Sequence, residues 1–257
     1  MPLTRRGRRR RALAQPFPEA WRNLLSWNVA HWSLLDGGER ERLEAFVRLL
    51  LVDKLWEASN RFQLTDDMRV VISALAGMLI LGLDYDYYHR VTSIIVSPTT
   101  VVLDGDRHVG GGIFSDQPLA IIGEADPRGP VLIAWDSAIA QARHPEEGHN
   151  VVYHEFAHKL DMLAGSVDGT PPLESHAEYQ RWVAICNAEY DALRDGTGGD
   201  LLDPYGAVNP GEFFAVVTEV FFDIPLRMER EKPALYAVLR DFYRQDPASR
   251  ERRAGRA

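Results

Sequence analysis

The chain has 257 residues, of which 46% are hydrophobic and six are tryptophans, so it is long enough to build a sizeable core at the upper end of single-domain size. Its one cysteine, Cys186, excludes an internal disulfide and a thiolate metal site, and the expected location is the cytoplasm. The net charge of −8 includes six arginines in the first eleven residues, so the remainder carries about −14 and would repel nucleic acid.

The first segment, "MPLTRRGRRRRALAQPFPEA", is rich in arginine but has no apolar stretch before Pro16 and Pro18. It therefore lacks the pattern of a signal peptide and of a twin-arginine export signal. We predict that residues 1–16 form a disordered, solvated tail, with binding to nucleic acid or to a membrane as the less favoured alternative.

The first third of the chain is predicted to be helical. Residues 18–34 and 39–58 show apolar residues at helical spacing, and "LDGGER" separates them as a turn. The run "VVISALAGMLILGL" at 70–83 predicts a buried helix, since fourteen residues are too few to cross a bilayer. No membrane association is expected.

The pattern then changes to that of strands. "VTSIIVSPTTVVLD" predicts a pair of short strands, and "PLAIIGE" and "PVLIAW" are two further candidates, which together predict a small mixed sheet. Residues 131–135 could be an edge strand that pairs with an extended substrate, or equally an ordinary interior strand.

The segment "NVVYHEFAHKLDML" at 150–163 contains His154, Glu155 and His158 in the pattern H-E-x-x-H. On a helix the two histidines share one face and can bind one metal ion, while Glu155 lies beside the open coordination position, where a general base acts. The alternative is a coincidental pair of buried histidines. Because the apolar surroundings would bury the imidazoles and the carboxylate without partners, the sequence favours the metal.

A catalytic zinc needs a third protein ligand. Asp161 and Ala164 stand where the pattern H-E-x-x-H-x-x-G-x-x-H requires glycine and histidine, and Asp161 is better placed to orient a ligand than to reach the ion. The apolar helix predicted at 209–225 carries Glu212 and Glu219, two turns apart. One would bind the metal and the other would accept a hydrogen bond from a ligand imidazole, and the spacing leaves open which is which.

Several segments together resemble the Mlc titration factor A family of bacterial zinc peptidases. They are "NVVYHEFAHKLDM", "DPYGAVNPGEFFAVVTEVFF", "GPVLIAWD", "LTDDMRVVISALAGMLILGL" and "FYRQDP". The resemblance runs from about Trp21 to Pro247 and leaves out the arginine-rich tail. It implies that Glu212 is the third zinc ligand and that Tyr205 lies near the zinc.

The resemblance implies a gluzincin-like hydrolase that holds one Zn²⁺ per chain and acts as an aminopeptidase on peptides. A water on the zinc would attack the peptide carbonyl, with Glu155 as general base and Tyr205 as a donor to the oxyanion. The alternative that it implies is a cytoplasmic regulator that binds a transcriptional repressor of sugar uptake, with peptidase activity secondary.

The predicted fold class is α+β, with a helical N-terminal part, a zincin-like catalytic core, a small mixed sheet and an H-E-x-x-H helix. Residues 17–247 are expected to form a single peptidase domain, divided into a helical part at 17–90 and a catalytic core at 91–247. Residues 248–257 are polar and are expected to form a second disordered tail.

Overall fold

The computed structural model describes residues 4–59, 62–99, 129–165 and 167–255, and the backbone of a hairpin formed by β3 (His108–Val109) and β4 (Ile113–Phe114). These residues are mainly helical and include a small sheet, which confirms the α+β class. The α-helices in the described part of the chain are α1 (Arg5–Ala14), α2 (Glu19–Asn28), α3 (Gly37–Asp53), α4 (Asp66–Leu79), α5 (Trp135–Arg143), α6 (Val151–Asp161), α7 (His176–Arg194), α8 (Pro210–Asp223), α9 (Pro225–Glu231), α10 (Pro233–Tyr243) and α11 (Pro247–Arg253).

The sheet has three strands in the order β1 (Leu55–Ala58), β2 (Ser93–Ser97) and β5 (Val131–Ala134). Both pairs are parallel, so this sheet is not the mixed sheet that was predicted, and the described antiparallel pair, β3 with β4, forms a separate hairpin. The helix α4 lies between β1 and β2 in sequence, and such a crossover lets the second strand run in the same direction as the first. Among the described strands β5 is at an edge, as the first alternative for residues 131–135 predicted, although Trp135 already belongs to α5.

One strand was missed because its sequence continues the apolar pattern of a helix. The helix predicted over 39–58 ends at Asp53 in α3, and β1 follows after Lys54. The Lys54 ammonium donates to the carbonyls of Tyr88 and Val91 at 2.5 and 2.8 Å, beside the start of β2. These long-range contacts hold the chain extended here. Two predicted strand segments, 101–104 and "PLAIIGE", lie outside the described residues.

Both ends differ from the disorder that was expected. At the N-terminus α1 packs on α3, where the Arg9 guanidinium bonds the buried carboxylate of Asp53 and lies 5.0 Å from the centre of the Tyr85 ring. At the C-terminus the Asp246 side chain caps α11, and the buried Arg250 bonds Glu39. Ion pairs with the folded body therefore order segments whose own composition is polar.

Two helices form the centre of the core. Helix α4 packs against α2, α3, α5 and α6, and its residues from Val70 to Leu79 are buried. Helix α8 is buried from Gly211 to Asp223, as its apolar sequence predicted. Helix α6 packs against both, and its contact with α8 brings the predicted metal ligands together. No helix in the described ranges is long and apolar enough to span a bilayer.

Candidate metal centre

Helix α6 carries the histidines of the H-E-x-x-H pattern, and a side-chain cap fixes its N-terminus. The Asn150 side chain caps the helix by accepting a hydrogen bond from the backbone N–H of Tyr153, at 3.2 Å. His154 and His158 follow one turn apart on the same face, with their ring centroids 4.8 Å apart. His158 is buried, and only 11% of the His154 side chain is exposed.

Helix α8 supplies the carboxylates. Asn209 caps it by accepting from the backbone N–H of Glu212 at 3.0 Å, and Pro210 occupies the first helical position. Glu212 therefore lies in the first turn and Glu219 two turns later, and both are buried. The backbone N–H of Asn150 donates to Glu219 at 2.6 Å, so the start of α6 lies against the far part of α8 and the two helices run antiparallel.

Three possible metal ligands converge at this contact. The Nε2 atoms of His154 and His158 are 3.2 Å apart, and they lie 3.0 and 3.3 Å from Oε2 of Glu212. Ligand atoms about 2.05 Å from a tetrahedral zinc lie roughly 3.3 Å from one another. The observed separations therefore fit a zinc ion. These three residues form the group of possible ligands found among the described residues.

The hydrogen bonds around His154 also favour a cation between its Nε2 and the Glu212 carboxylate. Its Nδ1 lies 2.7 Å from Oε1 of Glu219, which fixes the proton on Nδ1 and leaves a lone pair on Nε2. That lone pair faces the Glu212 carboxylate. A metal ion or an extra proton relieves the repulsion. Although burial opposes it, hydrogen bonding to Glu212 and Glu219 raises the pKa of His154 to about 10 in the metal-free protein.

The same contacts lower the pKa of the Glu212 carboxyl group. Burial raises its pKa, but hydrogen bonds from His154 and His158 outweigh this and lower the pKa to about 2. The group therefore stays ionised, as a metal ligand must. Glu212 is the carboxylate that faces both Nε2 atoms, at the position that the family resemblance implied for the third ligand, while Glu219 contacts Nδ1 of His154.

Glu155 is half-buried on α6, one residue after the first histidine. Burial is the main effect that raises the pKa of its carboxyl group, and the two histidines lower it. The nearby carboxylate of Glu212 adds a smaller upward effect. The raised pKa of Glu155 is closer to the pKa that suits a general base at neutral pH.

Tyr205 reaches the same region from a 3-10 helix at Pro204–Ala207. The Asp203 side chain caps this turn by accepting from the backbone N–H of Tyr205 at 2.8 Å. The Tyr205 ring lies 6.1 Å from that of His154, and burial followed by the charge of Glu212 raises the pKa of its hydroxyl. The phenol therefore remains protonated and can donate a hydrogen bond near the three possible ligands.

Asp161, at the end of α6, contacts the backbone instead of a histidine. Its Oδ2 accepts from the N–H of Gly169 at 3.0 Å, and it makes no hydrogen bond to His154 or His158 among the described residues. A Cβ placed on Gly211 would lie 3.5 Å from the same oxygen. Burial raises the pKa of Asp161 to about 6. The described contacts place this carboxylate at the start of α8, where it supports the segment that bears Glu212.

Sequence reasoning missed the two asparagine caps. Asn150 and Asn209 each precede a helix that carries residues of the candidate metal centre, and each fixes the first turn of that helix. Asparagine directly before an apolar helical pattern is a known start signal, so it could have identified both. The backbone contact between Asn150 and Glu219 had no such signal because it joins residues that are far apart in sequence.

Comparisons with known proteins agree with this arrangement. The family model described as glucose-regulated metallo-peptidase M90 matches residues 3–244. The match includes the arginine-rich helix α1, which the sequence resemblance had left out.

The relatives cover most of the chain. An uncharacterized protein of Synechocystis is 36% identical over 93% of this chain and 89% of its own length. Mlc titration factor A of Edwardsiella ictaluri is 30% identical over 93% and 91%, and that of Yersinia enterocolitica is 29% identical over 91% and 88%. The Mlc titration factor A proteins are similar to this chain over about nine-tenths of its length, and the chain belongs to the glucose-regulated metallo-peptidase M90 family.

Proposed function

We propose that this protein is a zinc-dependent peptidase that acts as an aminopeptidase, with His154, His158 and Glu212 as the ligands of one zinc ion per chain. The observation that carries the proposal is the convergence of two imidazole nitrogens and one carboxylate oxygen within 3.3 Å of each other. Membership of a metallopeptidase family supports it. A zinc ion in this site would lower the pKa of a bound water towards about 7 and polarise a peptide carbonyl.

The residues around the ligands have separate roles in this mechanism. Glu155 accepts the proton of the attacking water and transfers it to the departing amine. The Tyr205 hydroxyl donates a hydrogen bond to the oxygen on which negative charge develops. Glu219 holds the Nδ1 proton of His154, so that Nε2 keeps its lone pair for the metal.

The strand β5 is the proposed support for the substrate backbone. It lies at an edge of the described sheet and packs against α6. An extended peptide could add to this edge through backbone hydrogen bonds. The aminopeptidase specificity rests on the family resemblance.

The test is a digest of a peptide library by the purified protein, with metal content measured on the same sample. We expect about one zinc per chain and release of N-terminal residues, with acetylated peptides left intact. The matched control is Glu155→Gln, which keeps the shape of the side chain and removes the proton acceptor. Cleavage of acetylated peptides at internal bonds would contradict the aminopeptidase assignment but not the peptidase assignment.

A second function is supported by the names of the relatives. Proteins called Mlc titration factor A match about nine-tenths of this chain, and their name refers to titration of Mlc. We propose as the alternative that the chain binds a transcriptional repressor of sugar uptake in the cytoplasm. A pull-down with the repressor of the same organism tests this. Binding that persists in Glu155→Gln while cleavage is lost would show that the two functions are separate.

A further inference from the structure

Helix α1 forms a strongly cationic surface away from the metal centre. Six of the seven residues from Arg5 to Arg11 are arginines. The helix touches α3 through one narrow side on which Gly7, Arg9 and Ala12 are half-buried. Its other arginines are exposed, and we call them the α1 arginine face: Arg5, Arg6, Arg8, Arg10 and Arg11.

The carboxylates of this chain neutralise only part of that charge. Arg9 bonds Asp53 and lies 3.5 Å from Asp86, and Arg5 lies 3.6 Å from Asp53. In the described part of the chain, Arg6, Arg10 and Arg11 have no ion pair.

The remaining charges disfavour the helix itself. Arg6 and Arg10 are four residues apart on it, and like charges at this spacing destabilise a helix. Positive charges in the first turn also oppose the helix dipole, and no acidic residue stands there. A bound anion would remove both penalties.

The surroundings show which kind of anion fits. Arg5, Arg6 and Arg9 line an open cleft of about 630 Å³ together with Asp86 and His89. The arginines already bind carboxylates there, on Asp53 and Asp86. Leu13, near the end of the same helix, is 42% exposed and offers an apolar contact beside the charges. A segment with several carboxylates and an apolar side chain would complement both features.

The α1 arginine face lies behind the metal centre. Arg9 stacks over Tyr85, and Tyr88 of the same turn packs on Phe156 with ring centroids 4.9 Å apart. Phe156 follows His154 by two residues, which is about 200° around α6. A partner bound on α1 would therefore leave the proposed catalytic side open.

We propose that the α1 arginine face binds an acidic segment of a partner protein, rich in Asp and Glu. The helix is about 15 Å long, which matches a short segment. Duplex DNA or an anionic membrane is larger than such a segment. Its negative charges would come within the Debye length of about 8 Å of more of the remaining protein surface, which carries a net charge of about −14 and would repel them. The helix also lacks the exposed apolar face with which membrane-surface helices insert, because it exposes one leucine.

The test measures the binding of a fluorescently labelled deca-glutamate peptide to the full chain by anisotropy at low and high salt. The variant Arg6→Gln/Arg10→Gln/Arg11→Gln removes the arginines without an ion pair and keeps Arg9 and its anchor on Asp53. Glutamine keeps a good helix propensity, so α1 should remain folded, which circular dichroism checks. The control Arg194→Gln/Arg230→Gln/Arg253→Gln removes the same charge at positions that are 57, 70 and 54% exposed.

We expect salt-sensitive binding of the peptide, a loss of about tenfold in the α1 variant and a change below about twofold in the control. Hydrolysis of small peptides should be unchanged in both variants. Equal losses in the two variants, or no binding by the wild type, would overturn the proposal. Tighter binding of a 12-base-pair duplex or of phosphatidylglycerol vesicles through the same arginines would assign the surface to those partners instead. Self-association that the α1 variant abolishes would assign it to a second copy of this chain.

Discussion

The carboxylate of Glu219 contacts the side of His154 that faces away from His158 and Glu212, with 2.7 Å between Oε1 and Nδ1. Its second oxygen accepts the backbone N–H of Asn150 at 2.6 Å. One buried carboxylate therefore fixes both the imidazole and the first turn of the helix that carries it. Such outer contacts set the tautomer and orientation of a histidine ligand.

Replacement of the histidines should abolish metal binding. His154→Ala and His158→Ala each remove one of three ligands, so the bound zinc should fall from about one per chain to near zero after dialysis. Elemental analysis by mass spectrometry measures this. His176→Ala is the matched control, because His176 is exposed and starts α7 away from the site. Full zinc retention in the double variant His154→Ala/His158→Ala would end the metallopeptidase assignment.

Replacement of the general base should separate binding from turnover. Glu155→Gln keeps the size of the side chain and all three ligands, so zinc content should stay the same. The turnover number should fall by at least the 10²–10⁴-fold usual for loss of a general base. Steady-state kinetics on the best library peptide measure it. Activity close to that of the wild type would mean that hydrolysis takes place at another site or comes from a contaminant.

The two glutamates of α8 should differ in effect. Glu212→Gln puts a neutral amide next to both Nε2 atoms, so zinc affinity should drop sharply. Glu219→Gln changes only the group behind His154 and should cost about 10–100-fold in affinity or activity while leaving a metal site. Competition with a fluorescent zinc chelator measures both affinities. The reverse order would show that the assignment of Glu212, and with it the role of Tyr205, is wrong.

The loop after α6 should be sensitive to a methyl group at one glycine. Gly169 has φ = 74°, and an added Cβ would lie 2.3 Å from the carbonyl oxygen of Pro210, at the start of the helix that bears Glu212. Gly169→Ala should therefore lower the free energy of unfolding by more than the cost of about 1–2 kcal/mol for a left-handed residue, and should weaken zinc binding.

Gly196→Ala is the matched control for that variant, because Gly196 has φ = 70° but nothing within 4 Å of an added Cβ. It should show only the conformational cost, with unchanged zinc affinity. Urea unfolding of the two variants measures the difference. Equal destabilisation by both would show that the close approach to Pro210 has no role.

The stability of the protein should depend on pH through Lys54. Burial, with a smaller effect of the charge on Arg5, lowers the pKa of Lys54 from 10.5 to about 8. Between these values the unfolded chain binds the proton more tightly, so stability should rise as pH increases from 8 to 10.5, by up to about 3 kcal/mol.

Lys54→Met isolates this contribution, because it removes the titrating group and keeps an unbranched side chain. Urea unfolding at pH 8 and at pH 10 measures the free energy of unfolding of both proteins. The wild-type value minus the variant value should increase with pH. A difference that stays constant over this range would mean that the Lys54 ammonium keeps its ordinary pKa in the folded protein.

The local sequence was sufficient to place His154 and His158 on one face of α6 and to predict the burial of α8. Histidines four residues apart must share a helical face, and an apolar run such as that after Pro210 must be buried. Helix ends and ordered termini were harder to predict. The apolar pattern of α3 continues into β1, and Leu55–Ala58 is a strand because it pairs with the distant β2, beside the contacts of Lys54 with the carbonyls of Tyr88 and Val91. The arginines of α1 indicated disorder, and the ion pair between Arg9 and Asp53 overrides that signal.

The sequence by itself determined which residue types could bind a metal, because the spacing of His154 and His158 and the buried carboxylates of α8 follow from local periodicity. Only the tertiary structure decided how they combine. Glu212 and Glu219 lie two turns apart on one face of α8, so their spacing alone does not distinguish their roles. The antiparallel packing of α6 on α8 places Glu212 next to both Nε2 atoms and Glu219 next to Nδ1 of His154. The physical reason is that a metal site joins groups more than fifty residues apart in the chain, and their approach depends on how two buried helices pack, which no local pattern encodes.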